Sequence, residues 1–283
     1  MTKVIGVALE KGGVGKTTTA QHLGHALAIK GREVLLVDLD QQASLTSRYD
    51  IGELESTMAD VLGVERSPSK ELRDVVVRTY QPRLYLAPAD GRLALTNERL
   101  ATADDGAFVL KVILKDSPLP FDYVILDLPP GASKIMTAAL VAADEVIVPV
   151  QLTPMGFEGF AAIDESIENA RRLQNISGGV RLRYRAIVPT FHAENEVASR
   201  AFMASLESSE HPDYAGQPLP LSAPVPNTTA FVRASARYKV EMEDGVQRRA
   251  RTIFEMPVHQ PGDPTERGQA AYMQLAEMVD EYL

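Results

Sequence analysis

The run Lys11 to Thr19, KGGVGKTTT, decides the fold of this chain. It follows directly on the apolar stretch Val4 to Leu9 and directly precedes a helix-like segment, the placement of a glycine-rich turn between a strand and a helix. Such a turn aims successive backbone N–H groups into one concavity, and the positive end of the following helix dipole adds to the attraction for phosphate. Gly12, Gly13 and Gly15, with Val14 among them, permit close approach of the backbone. Lys16 is then placed to reach the β and γ phosphates of a nucleotide, the Thr17 hydroxyl to ligate the magnesium that bridges them, and Thr18 to lie near the α phosphate. The competing reading is a glycine-rich turn that binds nothing.

The strict phosphate-loop pattern asks for glycine where this sequence has Glu10, and a second lysine, Lys11, stands at the loop entrance. On these residues the chain resembles the deviant Walker family, which includes the ParA partition ATPases, the MinD division-site ATPases and the nitrogenase iron protein. The resemblance implies a P-loop NTPase that takes ATP and Mg2+ and hydrolyses ATP to ADP and phosphate. It also implies a homodimer formed with ATP, in which Lys11 reaches the partner subunit's nucleotide.

The 283 residues, 45% of them hydrophobic, suffice for one enlarged α/β domain spanning 1–283. No stretch is apolar enough to cross a bilayer, and the N-terminus enters a strand without a secretory pattern, so the expectation is a cytoplasmic protein. The absence of cysteine removes disulfides, thiolate metal sites and cysteine nucleophiles, and with them the iron–sulfur ligands of the nitrogenase branch. A net charge of −9 and a pI near 5.2 exclude a surface that is basic all over, so contact with nucleic acid has to come from a local patch.

Along the chain, apolar runs alternate with helix-period segments, the pattern of a doubly wound, mostly parallel sheet flanked by helices. Helices are expected from about Gly15 to Lys30, Ser56 to Leu62, Lys70 to Arg78, Leu93 to Ala103, Ala107 to Lys115, Phe157 to Leu173, Asn195 to Leu206 and Thr265 to Tyr282. Strands are expected at Glu33 to Asp38, Arg83 to Ala87, Asp122 to Leu128, Glu145 to Val150 and Arg185 to Pro189. Glu207 to Pro226 is rich in proline and reads as loops around a short strand, and Met256 to Pro264 is a second irregular segment.

Two carboxylate positions extend the nucleotide chemistry. Asp38 and Asp40 fall where the second strand ends, the edge at which open parallel sheets place ligands. By resemblance, Asp40 orients the attacking water and helps hold magnesium through its hydration shell, although Gln41 stands where the family usually has proline. The plainer reading of such a pair is a helix N-cap, which Asp38 can be. Asp127, closing an apolar strand before LPPG, resembles the Walker B element; a buried carboxylate needs a charge partner, and hydrated magnesium supplies one. The plainer reading there is a turn cap. Metal binding is thus expected of Thr17, Asp40 and Asp127, and catalysis of Lys11, Lys16 and Asp40.

Likeness to ParA-type proteins extends to EVIVPVQ at Glu145 to Gln151, the following Thr153, Pro154 and Phe157 to Phe160, and to Val225 to Ala234 with Arg233 before a helix. It implies base contacts from the late loops, for which Thr190 and Pro226 are the candidates, unless they serve the loops alone. It implies non-specific DNA binding by the ATP dimer through cations on the late helices, here Arg200, Arg233, Arg237 and Lys239, with Arg248, Arg249 and Arg251 nearby. The alternative is a solvated basic face paired with Glu241, Glu243 and Asp244. A ParB-like adaptor that stimulates hydrolysis and a nucleoid-associated location follow from the same resemblance.

No membrane partner is expected, because the tail QLAEMVDEYL has an acidic polar face and should pack Leu275, Met278, Val279 and Leu283 on the core. The stretch before Val4 leaves no room for an operator-binding domain, so promoter autoregulation is not expected. Two other readings stay open: an ATPase positioning another cargo, and a dethiobiotin synthetase-like ligase of the same fold.

Overall fold

A computed structural model describes residues 2–64, 69–116, 120–152, 154–178, 181–191, 197–208, 210–211, 218–227, 231, 237–242, 245–258 and 260–281, with backbone alone at 154–158 and 237–250 within these ranges. Seven strands form the main sheet: β1 (Lys3–Val7), β2 (Val34–Asp38), β3 (Val77–Arg78), β4 (Leu84–Ala87), β5 (Tyr123–Asp127), β6 (Glu145–Gln151) and β7 (Arg183–Thr190). Their order is β3-β4-β2-β5-β1-β6-β7, and only β3 runs antiparallel to its neighbour. The doubly wound, mostly parallel α/β sheet expected of a P-loop NTPase is therefore present.

Helices α1 (Lys16–Ile29), α2 (Met58–Leu62), α3 (Leu72–Val75), α4 (Leu93–Thr102), α5 (Val109–Asp116), α6 (Lys134–Ala142), α7 (Pro154–Ile176), α8 (Val197–Ser208) and α9 (Pro264–Asp280) accompany the sheet, with 3-10 turns at Thr46–Arg48 and Ile253–Glu255 and a β8–β9 pair given below. Residues on the central strands are buried on both faces and divide between two cores. Ile5, Val7, Val34 and Leu36 pack with Leu23 and Leu27 of α1 and Leu275 and Val279 of α9, while Val4, Leu35 and Val37 pack with Leu140 of α6 and Ile163 of α7. This two-sided burial is why those strands read as unbroken apolar runs. Gly24 lets α1 lie close on the sheet: a Cβ there would stand 2.7 Å from Leu36 Cδ2.

The tail expectation holds for Leu275 and Val279, which are fully buried, and for Met278, which packs on the same core; Leu283 lies outside the described residues. No described helix is long and apolar enough to cross a membrane.

Three sequence expectations need correction. The helix expected over Lys70 to Arg78 stops at Val75, and Val77–Arg78 pairs antiparallel with Leu86 and Tyr85 of β4. Helix α6 was not expected at all; its Ser133 N-cap accepts from the Met136 N–H at 3.0 Å, and six of its side chains are buried. The basic stretch from Arg237 is a two-stranded antiparallel hairpin, β8 (Arg237–Met242) with β9 (Gly245–Ala250), so Arg237 and Lys239 lie on a strand instead of a helix.

Candidate nucleotide site

Three strand ends converge. The parallel register places Val7 of β1 and Asp38 of β2 on either side of Asp127, the last residue of β5. The loops that leave these ends share one edge of the sheet, where open α/β folds bind ligands.

From β1 the chain turns through residues 8–15 into α1. Gly15 caps the helix at φ 97°, a left-handed conformation that a side chain would strain, and an added Cβ would also lie 3.5 Å from Thr190 Cγ2. The first helical bond runs from the Thr19 N–H to the Gly15 carbonyl at 2.8 Å, so the preceding N–H groups of the helix start have no intrahelical acceptor. Lys16 is buried and donates from Nζ to the Lys11 carbonyl at 2.9 Å. Burial lowers its pKa, while the charges of Asp127 and Asp40 work to raise it. Lys11 is half-buried, its stem beside Gly159 of α7, where an added Cβ would come to 3.6 Å of the Lys11 Cβ.

Asp127 is 1% exposed, and neither of its carboxylate oxygens accepts a hydrogen bond of ordinary geometry. Burial, then the neighbouring charge of Asp38, push its pKa up to about 8; the nearby Thr17 hydroxyl, Arg48 and Lys16 act in the other direction. A buried carboxylate with unmet oxygens beside a loop hydroxyl fits a hard, oxygen-seeking cation. Among the described residues no three acidic or histidine side chains gather as a self-contained metal site. That suits magnesium, which takes one or two carboxylates and completes its shell with phosphate oxygens and water.

Asp38 does not cap an α-helix. Its Oδ2 accepts from the Thr46 N–H and hydroxyl, both at 2.8 Å, and its Oδ1 from the Asp40 N–H at 3.1 Å. Burial pushes its pKa up to about 6 against the pull of those donors. Asp40 is half-buried and closes a turn, with Oδ1 accepting from the Gln42 N–H at 2.9 Å and its carbonyl from the Ala43 N–H at 2.8 Å. The turn thus forms with Gln41 in the place usual for proline.

Thr190 and Pro226 line a cleft with Gly15, Thr18, Phe231 and Tyr272. The Thr190 hydroxyl is committed to the Val14 carbonyl at 2.9 Å, so this residue braces the loop and leaves its methyl group toward Gly15. Arg200 is exposed on α8; Arg233 lies outside the described residues, and for Arg237 and Lys239 only the strand is described. The structure therefore does not unite these four into one surface.

Sequence reading passed over two residues that touch the loop helix. Arg48, in the 3-10 turn Thr46–Arg48, donates from Nη2 to Thr18 Oγ1 at 3.0 Å and from Nη1 to Gln21 Oε1. His22 is buried and neutral, its pKa driven down to about 3 mainly by burial. Its Nδ1 donates to the Thr18 carbonyl at 2.7 Å and its Nε2 accepts from the Ile253 N–H at 2.9 Å, partners that fix the tautomer. The bond from His22 to Thr18 spans one helical turn, but its pairing with Ile253 and the return of Arg48 to Thr18 leave no signal at local spacing.

The model of the AAA domain family AAA_31 matches residues 2–177. The chain belongs to this family, and within it to the ParA type. It is 34% identical over 194 residues to the chromosome partitioning protein ParA of Caulobacter vibrioides, covering 67% of this chain and 70% of that one. To the maintenance of carboxysome distribution protein A of Synechococcus elongatus it is 35% identical over 171 residues, 60% of this chain and 66% of the other. Among solved structures, the cobyrinic acid a,c-diamide synthase of Mycobacterium smegmatis with bound ATP analogue and magnesium is similar, at TM-score 0.74 and 28% identity, covering 98% of this chain and 93% of that one. ATP and Mg2+ are the ligands that suit the site.

Proposed function

We propose that residues 1–283 act as one domain that hydrolyses ATP to ADP and phosphate and works as a dimerising switch in DNA segregation. The observation that carries the reading is Asp127, buried and unmet beside a phosphate loop that holds both Lys11 and Lys16.

Bound magnesium supplies neutralisation of the β and γ phosphate oxygens, and Thr17, Asp127 and Asp40 are the residues that would hold it. The backbone of Gly12, Gly13, Val14, Gly15, Lys16, Thr17 and Thr18 binds the phosphates. Lys16 stabilises the charge that grows on the transferred group, and Asp40 orients the attacking water. Lys11 completes the site of a second copy, so turnover depends on dimerisation: ATP assembles the pair and hydrolysis releases it. Thr190 and Pro226 border the base. The ATP dimer binds DNA without sequence preference through Arg200, Arg233, Arg237 and Lys239, at the nucleoid, and a ParB-like adaptor stimulates hydrolysis.

Sedimentation with a non-hydrolysable ATP analogue tests the switch, with a dimer expected for the wild type and a monomer with ADP. Phosphate release should be lost in Lys16→Ala and strongly reduced in Lys11→Ala. An unchanged rate in Lys11→Ala, with single subunits throughout, would refute the proposal. Gel shift on random-sequence DNA with ATP and with ADP tests the DNA step.

A second reading, an ATP-dependent ligase, draws on the likeness to the cobyrinic acid a,c-diamide synthase of Mycobacterium smegmatis. It predicts that ATP turnover waits on a small carboxylate acceptor and ignores DNA. A positioning role for a cargo other than DNA is the third outcome, supported by the likeness to the carboxysome distribution protein and told apart by hydrolysis that responds to an adaptor without any DNA shift.

A further inference from the structure

Arg48 stands at a place where a cation is unfavourable on its own. It reaches the first turn of α1, the positive end of the helix dipole, where Lys16 already contributes a charge. Among the described residues no carboxylate forms an ion pair with it, although the charges of Asp127 and Asp38 are felt there, and Asp38, the last residue of β2, spends its oxygens on Thr46 and Asp40. Two neutral acceptors, Thr18 Oγ1 and Gln21 Oε1, hold its Nη2 and Nη1. A guanidinium carries five N–H donors, and the side chain remains partly exposed beside the loop. A cation held in a fixed orientation at a helix start, with spare donors and no ion-pair partner among the described residues, suits an anion.

We propose that Arg48 is a nucleotide-binding residue whose guanidinium, steered by Thr18 and Gln21, contacts the phosphate nearest the nucleoside. This rests on the nucleotide reading above, which puts Thr18 beside the α phosphate. The assignment explains why the turn that carries Asp40 also sends an arginine back to the loop helix: Asp40 and Arg48 leave the same connection after β2, one toward the reacting end of the nucleotide and the other toward its base end. Burial lowers the Arg48 pKa and the charge of Asp127 works to raise it, yet an arginine keeps its proton at any ordinary pH.

Calorimetric titration of the full chain with ADP and with a non-hydrolysable ATP analogue, in magnesium buffer, tests the assignment. Arg48→Gln should weaken both ligands about tenfold, which corresponds to about 1.4 kcal/mol. Arg48→Lys, which keeps the charge, should recover most of that loss. Melting of the nucleotide-free protein is the control, because a merely structural arginine would make Gln and Lys fall together in stability and in affinity. Equal affinities in Arg48→Gln and wild type, equal losses in the Gln and Lys variants, or a loss confined to the ATP analogue would each overturn the assignment. Failure of the wild type to bind either ligand overturns the nucleotide reading instead.

Discussion

Glu145 and Asp127 are both buried carboxylates on the two strands that flank β1, one opening its strand beside Ile5 and the other closing its strand beside Val7, yet they are treated differently by the fold. Glu145, 3% exposed at the start of β6, has Lys3 Nζ at 3.2 Å, Arg185 Nε at 3.6 Å and Arg183 Nη2 at 3.7 Å. Asp127, 1% exposed at the end of β5, has no ion-pair partner among the described residues and no hydrogen bond of ordinary geometry. One strand meets its buried charge with cations of the chain, although Glu145 Oε2 accepts no hydrogen bond of ordinary geometry. The other leaves a charge that only a ligand can complete, and the desolvation of Asp127 is the cost of keeping that place ready.

The largest expected effect separates the two carboxylates by function. Asp127→Asn should cut ATP turnover by roughly 100- to 1,000-fold, the size seen when one charge-stabilising group leaves a catalytic site. Glu145→Gln should leave phosphate release at saturating ATP within about twofold of wild type by the same reasoning, because it touches no group of the site. Similar losses in both variants would erase the contrast.

Stability should divide them the other way. Glu145→Ala strips the shared anion from the partly buried Lys3 and Arg185 and from the exposed Arg183, and should cost about 2 kcal/mol in urea unfolding. Asp127→Asn should instead raise the stability of the nucleotide-free protein by about 1–3 kcal/mol at pH 8, since an unmet buried charge is removed.

The pH dependence sharpens this. Because the folded-state pKa of Asp127 is raised to about 8 above its ordinary value near 3.8, the folded form holds a proton that the unfolded form gives up. Its contribution is fully present below the unfolded value and is lost as pH rises from about 4 to about 8. Asp38 adds a loss in the same direction between about 4 and about 6. Unfolding midpoints measured without magnesium or nucleotide should fall across this range in the wild type and fall less in Asp127→Asn; parallel curves would refute the assignment. The smallest effect belongs to Thr190→Val, which should lose about 1 kcal/mol with the bond to the Val14 carbonyl and loosen the loop, read as faster amide exchange at residues 13–16.

The central strands were legible because each is short, apolar on both faces and bounded by glycine, proline or aspartate. Helix α6 was not: Ile135, Met136, Ala138, Ala139, Leu140 and Val141 are all buried, so no polar face marks a helical period, and Pro129-Pro130-Gly131 ahead of it suggests only a turn. Strand β3 is two residues long and exists through its pairing with β4. The β8–β9 hairpin lacked the usual turn signal: Gly245 is the first residue of β9 and pairs with Met242, so Asp244-Gly245 is not the central pair of a tight turn.

Spacing along a single turn of chain was enough to specify the phosphate loop, because its N–H cradle, its lysines and its threonines act through near neighbours whose order is the sequence itself. What tertiary structure alone decided is which distant groups meet that loop: Thr190 bracing Val14 from 176 positions away, Ile253 reaching His22 across 231, Arg48 returning to Thr18, and Asp38 set beside Asp127 by strand register. Those meetings depend on how strands order and helices pack, and no local period records them.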